Sequence, residues 1–167
     1  MNEVWNIVVI AYWIIFGVTL LTIILKITIP YYIFSIDEVT ENKEQVFQSV
    51  LKVIEKDFSI RVNGLLINYD YTKNDELQGC YDPSNHCITL FMDNLETVNS
   101  YILTLTEEIH HSIFISTKSG IKIYELYDKK VGYENNPLEY AAKVYALNNF
   151  KSIHRVLKKR GLIRYKV

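Results

Sequence analysis

Glu107, Glu108, His110 and His111 stand together in the stretch Tyr101–Ile115, two adjacent carboxylates followed after one residue by two adjacent imidazoles. At a helical period of about 3.6 residues, Glu107 and His111 fall at i, i+4 and Glu108 and His111 at i, i+3, spacings at which side chains meet over one turn. Carboxylates and imidazoles are oxygen and nitrogen donors to a divalent cation, and a carboxylate beside such a cation can serve as a general base. A solvated polar helix face shows the same spacing. The surrounding residues decide between the two. Leu95, Val98, Ile102, Leu105, Ile109 and Ile113 alternate steps of three and four and form a core stripe, while Tyr101, Leu103, Phe114 and Ile115 flank the polar group. A helix apolar nearly all round is a buried helix. Buried carboxylates and imidazoles need partners, and a bound cation satisfies several at once.

Aligned on Glu108 and His111, the run Thr104-Leu-Thr-Glu107-Glu108-Ile-His110-His111 resembles the helix of the ImmA/IrrE-type zinc metallopeptidase-like family. Some members from phages and mobile elements read Glu-Glu-x-x-His-His or similar at this place. The usual zinc-peptidase helix reads His-Glu-x-x-His, with two histidine ligands and the glutamate as base. Here Glu107 stands in the first histidine's position, and a carboxylate oxygen can bind zinc at about 2.0–2.2 Å. The rival register, with Glu107 as base and His110 as ligand, places Thr106 in the first ligand position, which is poor ligand chemistry.

A further ligand is expected downstream, on a helix packed against this one. Asn135 to Phe150 is the candidate, similar to the family's segment in which a glutamate precedes an Ala-rich helical stripe: Ala142 and Ala146 lie at i+3 and i+7 from Glu139. Asn136 as N-cap, Pro137 at the first helical position and Glu139 at the third also form a helix-start signature of the capping-box kind. Both readings of Glu139 stand at the level of sequence.

The resemblance covers about Leu65 to Phe150. It implies a zincin-like α+β domain in which Glu107, His111 and Glu139 hold Zn²⁺ and leave a position for water. Glu108 would take that water's proton and pass it to the leaving amine, with His110 orienting a ligand or steadying the oxyanion. The substrate implied is a protein or peptide, laid along a sheet edge by strand addition. Three carboxylates and one imidazole would also suit Mn²⁺ or Fe²⁺. Glu107 in place of histidine leaves an alternative, a catalytically inactive binding or regulatory protein on the same scaffold. A third reading, an unrelated α+β module with a polar helix face, expects Glu139 far from His111.

The uncharged run Val4–Leu25 spans about 33 Å at roughly 1.5 Å per residue, enough for a transmembrane helix. No basic region or small-residue cleavage site precedes Lys26, so it reads as a retained anchor, residues 1–36 with its flank. Lys26 places the globular part in the cytoplasm by the positive-inside bias, making the chain a single-pass membrane protein. Residues 37–58 read as an amphipathic helix on Val46, Phe47, Val50, Leu51, Ile54 and Phe58, and 59–167 as the zincin-like domain. Within it, Ile60–Tyr69 reads as a strand, and Gly79–Met92 as a β-hairpin turning at Asp82-Pro83-Ser84-Asn85, so that the sheet is short and antiparallel. Residues 116–133 read as a linker holding a short strand at Ile121–Ile123. Cys80 and Cys87 flank the turn and are expected as free thiols. His86 and His154 read as ordinary positions.

With 167 residues and a net charge of -1, the chain has neither the basic balance nor a motif of a nucleic-acid binder. The tail from Lys151 to Val167 is basic without an acidic residue, suited to anionic lipid beside the anchor. Repeats, a Gly-rich phosphate loop and a Ser/His/Asp arrangement are absent from the sequence.

Overall fold

The computed structural model describes residues 42–72 and 77–163. Helix α1, Lys43–Phe58, buries Val46, Phe47, Val50, Leu51 and Ile54, the stripe that its spacing requires, and ends at Ser59 in the left-handed conformation. Strand β1, Leu66–Asp70, follows, then β2, Gly79–Asp82, and β3, Cys87–Phe91. The turn between β2 and β3 is held by Asp82, whose Oδ1 accepts from Ser84 N at 2.8 Å and Ser84 Oγ at 2.6 Å. This is the Asx-turn chemistry that Asp and Ser bring.

Helix α2, Val98–Phe114, opens on a capping box: Thr97 Oγ1 accepts from Ser100 N, and Ser100 Oγ accepts from Thr97 N. It packs against α1, β2, β3 and the last helix, and is buried on nearly every side. Leu95, Val98, Ile102, Leu105 and Ile109 lie in the core, with Ile88 and Leu90 of β3 facing the same interior. Helix α3, Lys118–Val131, is capped by Thr117, whose hydroxyl accepts from Gly120 N. Helix α4, Pro137–Lys159, starts with Asn136 as N-cap and Pro137 at its first turn. Ala142 and Ala146 are fully buried, and α4 packs on α2 and α1.

The structure departs from the sequence expectations in several places. The sheet is mixed, in the order β1-β3-β2: β2 runs antiparallel to β3, whereas β1 runs parallel to it, Ile67 opposite Ile88 and Tyr69 opposite Leu90. A period-two pattern identifies a strand but does not say which way its neighbour runs. The first strand also starts only at Leu66, because Gly64 at φ +71° breaks the extended run and Val62 N donates to Glu55 Oε1. The segment read as a linker with a strand at 121–123 is α3, for which Thr117 before it and Gly132 after it are the helix signals. Cys80 lies opposite Thr89 and Cys87 opposite Asp82, so the two cysteines are diagonal across the hairpin and unbonded.

The expected fold of a transmembrane helix followed by a globular domain, and with it the assignment as a single-pass membrane protein with a cytoplasmic domain, is also corrected. Among the described residues no helix is long and apolar enough to cross a membrane, and what they form is a small α+β domain of four helices on a three-stranded sheet. Residues 4–25, on which the membrane reading rested, lie outside the described residues.

Candidate functional site

Three elements bring the sequence-derived candidates together. Helix α2 carries Glu108 and His111 on the side turned towards β2 and α4, and α4 carries Glu139 in its first turn. These three side chains line one cavity of about 340 Å³. Gly79, Cys80 and Tyr81 of β2 form one wall, and Tyr124 of α3 and Tyr133 form another. Gly79 is where the strand comes closest to the helix: a Cβ there would stand 2.7 Å from Thr104 Cγ2 and 3.2 Å from Glu108 Cγ. Glycine is what allows β2 to lie on the turn of α2 that bears Glu108.

His111 Nε2 lies 3.4 Å from Glu139 Oε2. On its other oxygen, Glu139 accepts from the Tyr124 hydroxyl at 2.6 Å, and the Tyr133 phenol adds to the pull that keeps the carboxyl charged. The side chain therefore does not close a capping box at the start of α4; Asn136 caps alone, accepting from Leu138 N. Burial would raise the Glu139 pKa, but the bond to His111, the imidazole's charge and the two phenols outweigh it and hold the group below the usual carboxylate range. Burial likewise works against a charged His111, yet Glu139 and then Glu108 and Glu107 keep it above the usual value. The two shifts run in the directions that favour the charged form of each partner.

Glu108 differs from its neighbours. Its carboxyl is buried without a hydrogen-bond partner among the described residues, and burial pushes its pKa up to about 7, against the pull of His111. It is a carboxyl that changes protonation near neutrality. Glu107 does not line the cavity. Burial raises its pKa, and the charges of Lys143 on α4 and His111 oppose that shift.

His110 also lies outside the cavity, turned into a cluster of rings. Its centroid is 4.5 Å from Phe114 and 5.2 Å from Tyr145, with Phe58 closing the group at 5.8 Å. Burial, followed by the charge of His111, lowers its pKa to about 4, so it is neutral and holds α2 against α1 and α4. His86 occupies the hairpin turn at φ +49°, with Nδ1 2.6 Å from the Tyr81 hydroxyl. His154 is buried on α4 against Phe150. Neither reaches the cavity.

A structural or catalytic zinc takes at least three protein donors. Of the set expected, Glu107, His111 and Glu139, the structure brings His111 and Glu139 to 3.4 Å of each other on the cavity, whereas Glu107 does not line it. Among the described residues no group of three or more His, Cys, Asp and Glu side chains is placed to hold a metal ion.

Sequence reasoning missed Tyr124, Tyr133, Glu125 and the β2 wall of Gly79, Cys80 and Tyr81. Glu125 and Tyr124 were hidden by reading α3 as a linker. Nothing in the spacing of Tyr133, which sits in a single 3-10 turn between α3 and α4, connects it to Glu139. No protein-family model matches the chain, and neither a curated protein nor a solved structure matches it.

Proposed function

We propose that this chain is a peptidase-like protein that takes an extended segment of a protein partner along β2 and holds it over the cavity, acting as a binding or regulatory module without metal. The observation that carries this reading is the convergence of Glu108, His111 and Glu139, from two helices, on a cavity whose wall is an edge strand. Among the described residues β2 pairs with β3 alone, so its other edge can accept a further strand. Main-chain bonds along such an edge supply affinity, and the adjoining pocket supplies selectivity. The resemblance of the α2 segment to the ImmA/IrrE-type family supports the peptidase-like part of the reading.

The second reading is the metallopeptidase itself, with zinc on Glu107, His111 and Glu139. One observation favours it: Glu108, titrating near 7 beside His111, is matched to proton transfer at neutral pH.

Elemental analysis of the purified full chain for zinc, manganese and iron separates the two, before and after zinc is supplied, beside His111→Ala and Glu139→Ala. The binding reading expects metal well below one equivalent in all three proteins. Near-stoichiometric zinc in the wild type, lost in both variants, replaces it with the hydrolytic reading. Strand addition is tested by hydrogen exchange: slowed exchange at Gly79–Asp82 in the presence of a bound extended peptide is expected, and unchanged exchange there overturns it.

A further inference from the structure

Resting on the docking reading above, we infer that the cavity selects a cationic side chain, an arginine before a lysine, from the segment laid along β2. The charges lining it are one-sided. Glu108, Glu125 and Glu139 face it, whereas no lysine or arginine does, and the single basic group, His111, is already matched to Glu139. That leaves the carboxyl groups of Glu108 and Glu125 without a basic partner on the cavity wall. Glu125 lies on the exposed side of α3 and marks the mouth.

Glu108 is the independent observation. It is only 8% exposed, lines the cavity, and has no hydrogen-bond partner among the described residues. Buried polar groups are nearly always paired, because leaving one unpaired costs free energy. The carboxyl opens on the cavity, where solvent reaches it, so a partner for it comes from the cavity side. A neutral donor would satisfy the carboxyl in part. A cation also answers the unmatched charge of Glu125.

The other walls suit the stem of such a side chain. Tyr81, Tyr124 and Tyr133 offer aromatic rings, and Ile115 and Ile121 offer aliphatic surface along its length. Aromatic faces attract cations, arginine more often than lysine, and the guanidinium fork matches a carboxylate with two parallel bonds. Acidic and apolar side chains gain neither contact.

The test uses fluorescein-labelled heptapeptides of alternating threonine and valine that differ only in the central residue, Arg, Lys, Gln or Glu. Each is titrated against the full chain by fluorescence polarisation, with Glu108→Gln and Glu125→Gln alongside. Binding of the Arg peptide about tenfold tighter than the Gln peptide is expected, as for a hydrogen bond to a charged group. Glu108→Gln should abolish most of that preference and Glu125→Gln part of it, each read as the ratio of Arg-peptide to Gln-peptide affinity within the same variant. Equal binding of all four peptides leaves docking along β2 standing and overturns the cation preference. A preference that persists in both variants overturns the assignment of the carboxylates. If none of the four binds, the docking reading fails and this inference fails with it.

Discussion

His111 Nε2 and Glu139 Oε2 lie 3.4 Å apart, each buried, where the last turn of α2 meets the first turn of α4. The contact joins two helices at the floor of the cavity and sets the charge there. It also runs against the expectation of an unrelated module, which placed Glu139 far from His111.

The pair makes stability depend on pH in a definite window. His111 is raised above its ordinary 6.5, so its contribution is complete below that value and is lost as pH rises through the folded value. Glu139 is lowered below its ordinary 4.5, so its contribution is complete above that value and is lost as pH falls through the folded value. His111→Gln is therefore expected to cost most between about pH 4.5 and 6.5, on the order of 1–3 kcal/mol. Urea unfolding of wild type and variant from pH 4 to 9 checks this; a cost independent of pH would contradict it.

Glu108 has the opposite sense for a carboxyl. Its pKa rises from 4.5 to about 7 on folding, so the folded state holds the proton more tightly and stability falls as pH rises across that interval. Glu108→Gln removes this loss. The variant should be more stable than wild type at pH 8 by about 3 kcal/mol and should gain little at pH 4. Thermal melts at the two pH values provide the comparison.

Two glycines carry the close approaches. Gly120 lies against the backbone carbonyl of Phe114, at the junction of α2 and α3, where no side chain can yield. Gly120→Ala should cost about 2 kcal/mol or more. Gly79→Ala meets side-chain atoms of Thr104, Leu90 and Glu108 and should cost about 1–2 kcal/mol while moving β2 off α2. Denaturant midpoints rank the two, and the order Gly120 above Gly79 is the expected one.

Asn136 does two jobs at the start of α4. Its Oδ1 accepts from Leu138 N at 3.0 Å and its Nδ2 donates to Tyr124 O at 3.4 Å, from a position with no solvent exposure. Asn136→Asp keeps the cap and loses the donor, whereas Asn136→Ala loses both. The alanine variant should cost about 1–2 kcal/mol and the aspartate variant less, as read by chemical unfolding.

Tyr124→Phe removes the 2.6 Å bond to Glu139 and nothing else of the cavity wall. The pKa of Glu139 should rise in the variant, since one of the bonds that holds it low is gone. Titration followed by carboxyl carbon shifts in NMR measures this directly. An unmoved Glu139 would mean that the phenol does not set its charge.

Much of the domain is legible without coordinates. The three-and-four spacing from Leu95 to Ile109 states both the helix and its buried face, because about 100° per residue puts those positions on one side whatever lies across from them. Asn136-Pro137 marks a helix start by chemistry local to one turn, and Asp82-Pro83-Ser84-Asn85 marks the hairpin in the same way. The flanking apolar residues also state that the polar group of α2 is buried. What the tertiary structure alone decided is where each polar side chain goes. Glu107 and Glu108 are neighbours in sequence, yet only Glu108 lines the cavity; His110 joins Phe58, Phe114 and Tyr145 from three helices, while His111 turns to Glu139. Adjacent residues on a buried helix point at different neighbours, and those neighbours come from elements whose packing and direction no local spacing encodes. The direction of β1 and the meeting of Tyr124 with Glu139 both follow from that long-range packing.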